Sequence, residues 1–187
     1  MYTLLSHKKI LAYHDRSDGG LITTLSEMSF ASRLGLQINL NSILEDEQQL
    51  LDCLFTEELG AVIQVSTQDV DSVYETFTKT GLREYIHNIG SISEEKQIDF
   101  HFKGQNLLSL PLKDLLENWH RVGFEIQTLR DNPSTAKAEY QNDTKLNQCG
   151  LTPNINFFIP EKINLKSSNP RIAIVREQGV NGQNEMA

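Results

Sequence analysis

Cysteine is scarce: two in 187 residues, Cys53 and Cys149, far apart and at no metal-ligand spacing. That argues against a disulfide scaffold or a zinc ribbon and points to a reduced, cytoplasmic setting. No apolar run nears the ~20 residues of a membrane span. The first nine residues, Met1-Tyr-Thr-Leu-Leu-Ser-His-Lys-Lys9, lack the long apolar stretch of a secretory signal. Without such a signal, Asn142-Asp-Thr is a glycosylation sequon by chance. Cations are outnumbered, with 17 Lys and Arg against 25 Asp and Glu, leaving a net charge of −8. A chain so short of positive charge is ill suited to neutralising a phosphate backbone, so nucleic acid is not an expected partner, and neither is a membrane. A Walker motif, a Gly-x-Gly-x-x-Gly turn and a basic-aromatic stripe are also missing. What remains, 39% hydrophobic and 22% charged residues, suits a soluble globular chain with one good core, or one domain plus an appendage.

Chemistry is concentrated in His14-Asp-Arg-Ser-Asp-Gly-Gly-Leu21. Asp15 and Asp18 flank Arg16 and Ser17. Gly19 and Gly20 then let the backbone turn tightly and approach a ligand closely. Leu21, Leu25 and Met28 follow at helical spacing, so the free N–H groups of a helix start lie beside the carboxylates. Such a place suits a phosphate, drawn by the N–H groups and the helix dipole, together with Mg²⁺, drawn by carboxylate oxygens. A plainer alternative stands beside it: Asp18 caps the helix and the glycines form only the turn.

Along the chain, periodicity predicts a helix at 21–34 ended by Gly35, a strand at 36–40, and a short helix or turn at 50–55. Leu59–Val65 reads as a buried strand and Asp69–Thr80 as a helix capped by Asp69 and stopped by Gly81. Tyr85–Ile92 and Gln97–Phe102 read as strands joined by Ser93-Glu94-Glu95-Lys96. Pro111–Leu129 reads as a long helix with Leu112, Leu115, Leu116, Trp119, Val122 and Ile126 on its inner face. Residues 131–170 lose periodicity and read as a linker or extended loop with one anchored segment at Phe157-Phe158-Ile159. Arg171–Val175 reads as the first strand of a further α/β domain. A lone strand cannot bury both faces, so that domain is expected to be cut off near its start.

Four ordered blocks carry a family resemblance. They are Leu11-Ala-Tyr-His-Asp-Arg-Ser-Asp-Gly-Gly-Leu21, Phe55-Thr-Glu-Glu-Leu-Gly-Ala-Val-Ile-Gln-Val65, Gln127-Thr-Leu-Arg-Asp-Asn-Pro133 and Arg171-Ile-Ala-Ile-Val-Arg-Glu-Gln-Gly-Val-Asn181. Together they resemble the large, single-chain phosphoribosylformylglycinamidine (FGAM) synthases of purine biosynthesis. The resemblance implies an α+β, mixed α/β fold. Residues 1–130 would be an AIR-synthetase-like C-terminal subdomain, incomplete at its N-terminus, with a ferredoxin-like mixed sheet under covering helices. Residues 131–170 would be a linker, and 171–187 the truncated start of a glutamine amidotransferase domain.

Members of that family convert formylglycinamide ribonucleotide, glutamine and ATP to formylglycinamidine ribonucleotide, glutamate, ADP and phosphate. By position in the motif, Asp15 resembles a Mg²⁺ ligand and Ser17 a nucleotide contact, with Arg16, Gly19 and Gly20 beside them, at an auxiliary ATP/ADP site. The resemblance implies that the other ligands come from upstream synthetase domains and the glutaminase nucleophile from a downstream domain. Those domains are the expected partners, along with the small nucleotide itself, and the fragment alone is expected to be inactive. Cys149 precedes the expected glutaminase strand and is not that nucleophile, while Cys53 reads as a packed thiol.

From the residues alone, His14 reads as a hydrogen-bonded structural histidine. Arg16 pairs either with phosphate or with Asp18. Glu57 and Glu58 cap or salt-bridge locally, and His7, His87, His101 and His120 lie on the surface or at edges. Gly179 and Asn181 are weak candidates for a loop near a glutamine site. Two rival readings remain at this stage: a stand-alone, non-catalytic nucleotide-binding or assembly module, and a small α/β domain whose Asp-Gly-Gly is a helix cap.

Overall fold

A computed structural model describes residues 2–147, 153–158, 173–176, 178–179 and 181–186. The chain divides into two units, Met1–Gln148 and Cys149–Ala187. In the first, α1 (Tyr2–Ser6) leads into β1 (Ile10–Arg16), α2 (Gly20–Ser32) and β2 (Gly35–Asn39). Then come α3 (Leu50–Phe55), β3 (Gly60–Val65), α4 (Val70–Lys79), β4 (Gly90–Ser93), β5 (Gln97–Phe102), β6 (Gln105–Pro111), α5 (Leu112–Arg130) and α6 (Pro133–Asp143). In the second unit, α7 is one turn at Gln183–Met186.

Two sheets form. β1 and β3 make an antiparallel pair in which Tyr13 faces Ile63 and Asp15 faces Ala61. The other sheet runs β4-β2-β5-β6. It is mixed, because β2 lies parallel to β5 while β4 and β6 are antiparallel to their neighbours. Alternation along β5 sends Ile98, Phe100 and Phe102 to one side, where they pack with Leu21 and Leu25 of α2, Ile38 of β2 and Leu54 of α3. Phe100 and Ile98 are fully buried, each worth about 1.5–3 kcal/mol of burial.

Gly35 begins β2 rather than merely ending a helix. A Cβ there would lie 2.0 Å from the Glu95 carbonyl oxygen and 2.2 Å from that of Gln97. Lys103 and Gly104, both at positive φ (48° and 80°), turn β5 into β6, a strand the sequence reading lacks.

Several expectations need correction. Leu59–Val65 is not a buried strand: β3 is exposed or half-exposed throughout, and Leu59 is wholly exposed. Of Tyr85–Ile92, only the last three residues are strand, as the start of β4, and Tyr85 ends a 3-10 turn at Arg83–Tyr85. The side chain of Asp69 does not cap α4; Ser66 caps the 3-10 turn before it, accepting from Gln68 N–H at 3.4 Å. On α5, Leu112 and Leu116 are buried, but Trp119, Val122 and Ile126 are more than half exposed.

Residues 133–143, expected in a linker, form α6. Asn132 caps it, accepting from Ser134 N–H at 2.9 Å, and Pro133 opens it. α6 lies on α5 through stacked Phe124 and Tyr140 rings, 4.6 Å between centroids. In the second unit, residues 171 and 172 of the expected strand lie outside the described residues and Ala173–Val175 are coil. Ile159 and Cys149 also lie outside them. No helix among the described residues is long and apolar enough to cross a membrane.

Candidate functional site: an exposed aspartate at a strand–turn–helix junction

Strand alternation decides what each motif residue can do. In β1 the exposed positions are Leu11, Tyr13 and Asp15, and the half-buried ones are Ala12, His14 and Arg16. Asp15 therefore projects from the outer face of the two-stranded sheet. Its backbone is pinned from behind. Thr24 Oγ1 of α2 donates to the Asp15 carbonyl at 3.3 Å, and His14 Nδ1 lies 2.6 Å from the same oxygen. The other ring nitrogen of His14 meets the Glu27 carboxylate on α2, so this histidine is the structural one expected. The Asp15 carboxylate accepts from the Tyr13 hydroxyl through Oδ1, and Oδ2 has no hydrogen-bond partner among the described residues.

After Arg16 the chain turns, and Gly20 N–H donates to Ser17 O at 2.9 Å. Gly19 and Gly20 both take positive φ, 79° and 72°, where a side chain is strained. The close approach that Gly20 permits is to protein backbone: a Cβ would lie 2.7 Å from the Leu54 carbonyl oxygen. The α2 cap is not Asp18. The N-cap residue is Gly19, and its N–H donates to Glu57 Oε1 at 2.9 Å. An anionic side chain thus sits at the α2 N-terminus, as the dipole favours. Ser17 and Asp18 are exposed, with no side-chain hydrogen bond among the described residues.

Arg16 does not pair with Asp18, the protein partner expected of it. Its guanidinium donates to Thr56 O (3.1 Å) and Cys53 O (3.1 Å) and lies 3.4 Å from Glu58 Oε2. It satisfies carbonyls at the end of α3 and braces β1 against that helix. Cys53, half-buried against the core, has its thiol pushed up by burial, against the opposing pull of Arg16. It is the packed thiol expected rather than a nucleophile.

One polar cluster was missed by sequence reading. Asp99 of β5 is 3% exposed. It accepts from Ser109 Oγ (2.5 Å), Gln37 Nε2 (2.7 Å), Gln97 Nε2 (2.9 Å) and Asn106 Nδ2 (3.3 Å). Burial alone would raise its carboxyl, but these donors outweigh it and hold the group below the usual carboxylate range. The signal available was an Asp inside an alternating apolar strand, at a position whose neighbours in sequence, Ile98 and Phe100, are core.

Among the described residues, no group of three or more His, Cys, Asp and Glu is placed to hold a metal. Asp15, exposed and with one carboxylate oxygen unengaged, fits Mg²⁺ as a single ligand, not as a complete shell.

The family follows from comparison with known proteins. Residues 2–103 match the model of the AIR synthase related protein, C-terminal domain, and the chain belongs to that family. Particular relatives carry a more specific name. Phosphoribosylformylglycinamidine synthase of Schizosaccharomyces pombe is 40% identical over 183 residues, 95% of this chain and 14% of its own length. The Saccharomyces cerevisiae protein of the same name is 40% identical over 186 residues, again 95% and 14%. The chain therefore spans about one seventh of these relatives. Among solved structures, T. maritima PurL complexed with AMPPCP aligns with 97% of this chain and 25% of its own at TM-score 0.51 and 16% identity. T. maritima PurL complexed with ATP aligns with 60% of this chain and 20% of its own, at 0.51 and 18%. At such identities the likeness is one of fold, and it agrees with the mixed sheet and covering helices described above.

Proposed function

We propose that this chain serves as part of an FGAM synthase, the ATP-dependent carbon–nitrogen ligase that makes formylglycinamidine ribonucleotide with glutamine as nitrogen donor. The observation that carries this reading is 40% identity to two proteins of that name across 95% of the chain. In this reading Asp15 gives one carboxylate oxygen to Mg²⁺, and Ser17, exposed at the turn, contacts the nucleotide. Gly19 and Gly20 shape that turn, and Arg16 braces it from behind. Bound there, Mg²⁺ would neutralise phosphate charge on ATP or ADP. Upstream synthetase domains supply the remaining metal ligands, and a downstream glutaminase domain supplies ammonia, in the cytoplasm. The chain alone forms no amidine, because those other domains hold the rest of the synthetase and the glutaminase, and it binds nucleotide weakly, because a single carboxylate leaves Mg²⁺ under-coordinated.

A chimera tests this. The matching 183-residue stretch of the S. pombe protein is replaced by this chain, and ATP- and glutamine-dependent amidine formation is measured with Mg²⁺-dependent ADP binding. The chimera should be active and the 187-residue chain inactive. A folded chimera that neither turns over nor binds Mg²⁺ with ADP refutes the reading.

A further inference from the structure

The hydroxyl of Tyr13 has a hydrogen bond to the one carboxylate that the proposed site depends on. Tyr13 and Asp15 are two residues apart on β1, so alternation puts both on its outer face, about 7 Å apart along the strand. Both residues are exposed, and the hydroxyl donates to Asp15 Oδ1. Their cross-strand neighbours differ in size: Ile63 faces Tyr13, and the smaller, exposed Ala61 faces Asp15. A phenol carries a single donor proton, and that carboxylate oxygen receives it.

Resting on the reading of Asp15 as a Mg²⁺ ligand, we infer that Tyr13 is a positioning residue: it occupies one oxygen of Asp15, so that a cation meets the carboxylate through the other oxygen alone. One-oxygen ligation suits Mg²⁺, which demands near-octahedral geometry at short distance. It penalises Ca²⁺, which readily takes both oxygens of a carboxylate. Tyr13 therefore sets the choice of cation as well as its affinity. Outer-shell partners of metal ligands are typically worth 10–100-fold in affinity.

The test uses the chimera, with the Mg²⁺ and Ca²⁺ dependence of ADP binding measured by titration for wild type, Tyr13→Phe, Asp15→Ala and the double variant. Tyr13→Phe should weaken Mg²⁺ about tenfold, leave Ca²⁺ unchanged or tighter, and have no effect in the Asp15→Ala background. Equal weakening of both cations, or none, overturns the role of Tyr13 while Asp15 stands. Retention of Mg²⁺ affinity by Asp15→Ala overturns the ligand reading beneath it.

Discussion

Asp15 and Asp99 both lie in strands, but their surroundings differ. Asp99 is buried in the four-stranded sheet, with four neutral donors converging on it. Asp15 stands exposed on the two-stranded sheet, with one phenol on one oxygen. A carboxylate whose lone pairs are filled by its own fold has nothing left to offer a ligand and acts on stability. A carboxylate pinned at its backbone but open at its tip is poised for something outside the domain. Burial and perturbed ionisation alone would select Asp99 as a functional candidate, whereas free acceptor positions favour the proposed Asp15.

The contrast can be broken by substitution, beginning where the effect is largest. Gly35→Ala forces a Cβ into two carbonyl oxygens of the four-stranded sheet. It should cost about 4 kcal/mol or more, seen as loss of cooperative unfolding in urea. Asp99→Ala removes the shared acceptor and should cost about 3 kcal/mol by the same measurement. Asp99 also gives the fold an acid dependence. Its folded carboxyl is held low, so between its folded and unfolded values the unfolded chain binds the proton more readily. Its contribution is whole above about pH 4 and is lost as pH falls through the lower, folded value. Urea midpoints followed downward from pH 6 should drop more steeply in the native chain than in Asp99→Asn, and parallel curves would refute the assignment.

Two smaller effects sharpen the comparison. Arg16→Ala, which frees the Cys53 and Thr56 carbonyls, should cost about 1–2 kcal/mol in thermal unfolding. Asp15→Ala should change stability by no more than about 0.5 kcal/mol while weakening Mg²⁺-dependent ADP binding in the chimera by tenfold or more, to about 100-fold. A large stability loss there would place Asp15 in the same class as Asp99.

Much of this architecture was legible in the sequence where one rule acted alone. Leu50–Phe55 and Gln97–Phe102 form where local pattern put them, because apolar periodicity and burial agree there. β6 escaped because its turn, Lys103-Gly104, lacks the Asn or Asp that normally marks two successive positive-φ residues. α6 escaped for the opposite reason. Its Asn-Pro start is a good signal, but it buries only Ala136, so no apolar stripe announces it. The outer half of α5 misled because an apolar stripe shows that a face is fit for burial, not that this chain supplies the cover. At the site, the motif was found by spacing and resemblance. The partners of its residues were not, because Glu57, Thr56 and Cys53 arrive from some 40 residues away and no local rule pairs them with Gly19 and Arg16.

The central place of β2 has a consequence for how the chain acquires its shape. Gln37 bonds to Asp99 across a separation of 62 residues, and β2 has no sheet neighbour before β4 and β5 appear. A nascent polypeptide therefore carries β2 without a sheet partner from Asn39 until Gly90 and the residues after it are made. Such long-range closure is slow, and an unpaired strand edge invites association meanwhile. Recombinant yield should thus respond to temperature and chaperone supply before any change in the finished fold is measurable.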